Sequence, residues 1–70
     1  FSELVEDAGL EALRTAVGSV SEPLRVVVNR RYFDGLAVEE IARELGVPEG
    51  TVKSRLHKAR EVLHGLLSRK

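Results

Sequence analysis

Val47-Pro-Glu-Gly-Thr-Val-Lys-Ser-Arg-Leu-His-Lys-Ala-Arg60 is the stretch that decides the fold. Val52, Leu56 and Ala59, continued by Leu63 and Leu66, recur at spacings of four, three, four and three, the period of a helix with one apolar side. Its other sides carry Lys53, Ser54, His57 and Lys58, side chains able to read base edges. Just before it, Val38-Glu-Glu-Ile-Ala-Arg-Glu-Leu45 has the pattern of a short amphipathic helix, with Val38, Ile41, Ala42 and Leu45 on one face. Gly46 supplies the tight turn between them. Two helices crossing steeply at a glycine predict a helix-turn-helix.

Two further helices are expected upstream. Leu4, Val5, Ala8, Ala12, Ala16 and Val17 predict a first helix from about Glu3 to Val17, weakened by Gly9 and ended by Gly18. Ser21 is the expected N-cap of a second, with Pro23 in its first turn, where a missing N–H costs nothing. Leu24, Val27, Val28 and either Tyr32 or Phe33 form its buried stripe, and Asp34-Gly35 ends it. The expected architecture is all-α: a small four-helix domain whose stripes face one shared core. Residues 1–18 form an N-terminal helix and linker end, and residues 19–70 the helix-turn-helix unit, within a single compact body. Gly18-Ser-Val-Ser21 is the only joint that looks flexible. The chain opens on Phe1 and reads as a piece of a longer protein.

Composition narrows the function classes. The 70 residues are neutral overall, with 11 basic and 11 acidic side chains. Residues 1–50 hold five arginines against ten acids, whereas residues 51–70 hold six basic residues against Glu61 alone. Such polarity turns the basic end toward a polyanion. The simpler account, cations gathering at a helix C-terminus, fits poorly because Lys53 and Arg55 lie near the start of the last helix, where the dipole opposes them. Cysteine is absent, so disulfides and thiolate metal sites are excluded; a cytoplasmic location is compatible with this. There is no membrane-spanning run. Ser54 lies three residues from His57, but no acid orients the pair and no oxyanion pocket accompanies it, so no enzyme is expected. His57, Glu61 and His64 share a helix face, yet one helix offers too few fixed ligands for a metal, and no cofactor is expected.

Lysine donates to guanine acceptors, serine to several base edges, and histidine to a base or by stacking, so Lys53, Ser54, His57 and Lys58 are the base-reading candidates. Gly50, the first-turn N–H groups and Thr51 suit a phosphate oxygen. Arg55 flanks the apolar stripe and fits either a phosphate contact or an ion pair with Glu40. Lys58 also fits a merely solvated charge, and Arg60 a structural or backbone-facing role.

Ser21-Glu-Pro-Leu-Arg-Val-Val-Val28, Arg31-Tyr-Phe-Asp-Gly-Leu36, Val38-Glu-Glu-Ile-Ala42 and Gly46-Val-Pro-Glu-Gly-Thr-Val-Lys-Ser-Arg-Leu-His-Lys-Ala-Arg60 together closely resemble region 4 of bacterial RNA polymerase sigma factors, especially the extracytoplasmic-function group. The resemblance covers roughly residues 19 to 67. It implies recognition of double-stranded promoter DNA at the minus-35 element, with Arg31 at a position that clamps the DNA backbone. It also implies an apolar groove for the flap of the RNA polymerase beta subunit, or for an anti-sigma factor or other regulator, with Leu24, Val28, Leu63, Leu66 and Leu67 as the lining candidates. Ala37 departs from the family's usual Ser or Thr, which predicts a less well satisfied start to the third helix, by about 1 kcal/mol. The LuxR-type response-regulator DNA-binding domain shares a Thr-Val-Lys run and is the alternative within the helix-turn-helix class.

Overall fold

The computed structural model describes residue 6 and residues 8–67, and the α-helices bounded among those residues are α1 (Leu10–Gly18), α2 (Glu22–Val28), α3 (Val38–Leu45) and α4 (Glu49–Leu67). Upstream of α1, Glu6 and Ala8 are helical too, and the weakening expected at Gly9 is a break. Gly9 has φ +89° and ψ 157°, a backbone geometry that side-chain-bearing residues rarely adopt, and it stands as the N-cap of a helix that begins only at Leu10. Its carbonyl accepts the Leu13 N–H at 3.1 Å. The expected start at Glu3, with Leu4 and Val5, lies outside the described residues.

The segment after α1 is not a loose joint. Val20 is buried, its N–H donates to the Val17 carbonyl at 3.1 Å, and its own carbonyl accepts from Arg25 Nη1 at 3.3 Å. Ser21 occupies the N-cap of α2 in an extended conformation; its carbonyl accepts from Leu24 and Arg25, but its side chain makes no cap bond. Beyond Val28 the helix widens into a π turn, Asn29–Phe33, closed by the Asp34 N–H on the Asn29 carbonyl at 2.9 Å. Nothing in the residue pattern announced that widening. It turns Phe33 toward the core and leaves Tyr32 42% exposed, which decides between the two aromatic candidates.

Ala37 has no side-chain acceptor to offer the first turn of α3, yet half of a capping arrangement survives. The Glu40 carboxylate reaches back to accept the Ala37 N–H at 2.9 Å, and the Ala37 carbonyl accepts from Glu40 and Ile41 at 3.0 Å each. The helix start is therefore partly satisfied from the Glu40 side.

The single shared core resolves into two clusters strung along α4. Val27, Ile41, Ala42 and Val52 form one, around the N-terminal half of α4. Leu13, Val17, Val20, Val28, Ala59 and Leu63 form the other, around its C-terminal half. Adjacent residues of α2, Val27 and Val28, thus enter different clusters, and half-buried Leu56 packs against both. Burial of each large aliphatic side chain contributes on the order of 1.5–3 kcal/mol. No polar or charged side chain is buried among the described residues, and no described helix is long and apolar enough to cross a membrane.

Candidate nucleic-acid interface

The turn that orients the second helix of the motif is built at Gly46, which closes α3 in the left-handed region (φ +68°, ψ 34°). Both its N–H and that of Val47, the latter at 3.1 Å, donate to the Ala42 carbonyl, satisfying an acceptor that the helix end would otherwise leave open. Pro48 then directs α4 outward, its carbonyl accepting from Thr51 at 3.0 Å and Val52 at 3.3 Å. Glu49 lies in the first turn, where the helix dipole favours an acid.

With Val52 and Ala59 fully buried, the opposite side of α4 faces water. Lys53 and His57 stand one above the other, as do Ser54 and Lys58, in two neighbouring rows of exposed side chains. All four base-reading candidates therefore share one accessible surface. Gly50 is exposed at the end of that surface, with Thr51 half-buried beside it. His57 Nε2 lies 3.6 Å from Glu61 Oε2, an exposed pair that ties the end of the row to the following turn.

Arg31 is half-buried at the π turn. Its Nη1 donates to the Leu36 carbonyl at 3.2 Å, and its guanidinium lies 5.8 Å from the Tyr32 ring centroid. A guanidinium carries five N–H donors, so this anchoring leaves several free for a phosphate. Arg55 is also half-buried, but the ion pair with Glu40 is not formed. The Glu40 carboxylate is held at the α3 cap instead.

The apolar groove needs a larger correction. Val28 and Leu63 are 1% and 0% exposed, interior to the cluster around the C-terminal half of α4, and are unavailable to a partner in this conformation. Leu66 is 38% exposed, and Leu24 and Leu67 are half-buried against the same cluster.

Residues 10–63 match the family described as Sigma-70, region 4, a span that begins with α1 and runs into the last turns of α4. The chain belongs to the sigma-70 region 4 family. The LuxR-type alternative is thereby set aside. This region 4 domain is 48% identical over 44 residues to the ECF RNA polymerase sigma factor SigL of Mycobacterium tuberculosis, covering 63% of this chain and 25% of the relative. It is 45% identical over 47 residues to the ECF RNA polymerase sigma-E factor of Escherichia coli and to that of Salmonella typhimurium, covering 67% of this chain and 25% of each relative. The matched segment thus spans about a quarter of these relatives' length. No solved structure gives a significant match.

One bracing residue of the region 4 domain escaped the sequence reading. Arg30 reaches Asp34 at 3.8 Å and, across the turn, Glu44 of α3 at 3.5 Å, fastening the π turn to the first helix of the motif. The Asp34 contact follows ordinary i, i+4 spacing, whereas the reach to Glu44 crosses between elements, where no local repeat announces it.

Proposed function

We propose that this domain binds double-stranded promoter DNA at the minus-35 element, as the DNA-reading part of an extracytoplasmic-function sigma factor that directs RNA polymerase in transcription initiation. The observation that carries the reading is the pair of exposed rows on α4, Lys53 with His57 and Ser54 with Lys58, backed by a helix side on which Val52, Ala59 and Leu63 are buried. A helix so presented enters the major groove, where lysine donates to guanine and serine and histidine to neighbouring edges. Arg31, Arg55, Gly50 and Thr51 contact the flanking backbone. Catalysis plays no part in this role.

The test is fluorescence anisotropy with a promoter duplex and with the same duplex altered at one contacted base, at two salt concentrations. Lys53→Ala or Lys58→Ala reduces the discrimination between the two duplexes by about 1–3 kcal/mol, whereas Arg31→Ala weakens both equally. Affinity falls steeply with salt, as released counterions require. Lysine variants that merely copy the Arg31 variant would refute the assignment of the groove-facing side.

A second surface is supported by the exposed edge at Leu66, with Leu24 and Leu67 half-buried beside the same cluster. We infer that it meets the polymerase beta-subunit flap or an anti-sigma factor. Pull-down of a flap fragment separates the surfaces: Leu67→Ser loses the fragment while Ser54→Ala retains it, both variants being checked for folding by circular dichroism. Equal loss in the two would merge them into one surface.

A further inference from the structure

A cleft of about 390 Å³ opens between α1 and the α2–π segment, away from the exposed rows of α4. Arg14 and Arg25 both line it. The Arg14 guanidinium carbon lies over the Phe33 ring, 4.7 Å from its centroid, a cation–π contact that needs none of the guanidinium N–H donors. Arg25 spends one donor on the Val20 carbonyl. Each arginine has a glutamate three residues earlier on its own helix, Glu11 and Glu22, yet neither forms an ion pair among the described residues. Two guanidinium groups that form no ion pair therefore face one concavity, whose lining also includes Val17, Phe33 and Asp34, the last paired with Arg30.

We propose that this cleft seats an acidic, partly apolar peptide segment of a partner protein, its carboxylates between Arg14 and Arg25 and an aliphatic side chain against Phe33 and Val17. Charge complementarity selects an anion, and the aromatic and aliphatic lining favours one that carries apolar surface. Asp34 and Asn29 also line the cleft, which argues against nucleic acid. A carboxylate at that position repels a continuous polyphosphate but accepts hydrogen bonds from peptide N–H groups. This surface goes beyond promoter binding and uses none of the side chains assigned to DNA.

Nitrogen-15 NMR titration of the 70-residue chain with a blocked peptide containing Glu-Leu-Glu provides the test. Saturable shifts are expected at the Gly18, Asn29 and Asp34 amides, with little change along Lys53–Lys58. The corresponding Gln-Leu-Gln peptide loses the effect. Arg14→Ala and Arg25→Ala each weaken binding by about fivefold, the scale of an exposed charge pair. Arg14→Gln removes the charge while keeping a longer, helix-compatible side chain and serves if the alanine variant folds poorly. Equal binding of the glutamine peptide, the same shifts from inorganic phosphate or from a promoter duplex, or indifference to both arginine substitutions would each overturn the proposal. Promoter affinity of the arginine variants, measured in parallel, separates failure of this site from failure of the DNA reading.

Discussion

Gly46→Ala isolates the cost of the motif's turn because the structure removes the competing terms. A Cβ built at Gly46 meets nothing within 4 Å, so no clash enters, and the N–H that bonds to Ala42 is retained by alanine. What remains is the backbone: φ +68° is left-handed, at a cost of about 1–2 kcal/mol for an L-residue. For a domain of this size each kcal/mol moves the melting temperature by about 4–8 °C, so a fall of between roughly 4 and 16 °C is expected. Gly65→Ala is the matched control. Gly65 lies inside α4 with open space around it, and alanine there stabilises by about 0.5–1 kcal/mol. Thermal melts followed by far-ultraviolet circular dichroism measure both. Two chemically identical substitutions should shift the melting temperature in opposite directions; a Gly46→Ala variant that melts at or above the parent temperature would refute the left-handed turn as the hinge of the motif.

Ala37→Ser completes the cap that Glu40 half-closes, and the resulting gain of about 1 kcal/mol appears as a higher denaturation midpoint in urea. Leu63→Ala empties a fully buried position and costs about 2.7–5 kcal/mol, while Leu66→Ala, at an exposed one, stays within about 0.5 kcal/mol; chemical denaturation of both variants separates core from surface. Arg30→Ala removes two exposed ion pairs and costs less than about 1 kcal/mol, a difference that disappears when the melts are repeated at high salt.

The features legible from the sequence are those fixed by a repeating local rule. The stripe Val52, Leu56, Ala59, Leu63 dictated which side of α4 is buried and hence that Lys53, Ser54, His57 and Lys58 face outward. Gly46 announced the turn, and the family resemblance was carried by motifs now found on α2, α3 and α4. What the sequence leaves open lies where two elements compete for one group. Glu40 was open to Arg55 or to its own helix start, and only the fold shows that the nearby Ala37 N–H takes it. Val28 and Leu63 have the apolar character of groove residues, but burial depends on what α1 brings over them. The π turn is a one-residue change of pitch, invisible to a pattern that tolerates both three- and four-residue spacings, yet it decides between Tyr32 and Phe33.

Because α4 runs unbroken through both apolar clusters, it behaves as a phase-locked shaft. Its rear half is keyed by Ala59 and Leu63, and its front half by Val52. Each residue added to a helix advances the angle by about 100°. One residue inserted between Leu56 and Ala59 would therefore leave the front half no way to satisfy both keys. Either Lys53 and Ser54 rotate out of their present direction, or the rear cluster comes apart. The direction in which the basic rows point is thus fixed by small aliphatic side chains one to three turns away. In that sense Ala59, a methyl group that touches no ligand, sets the aim of the whole surface.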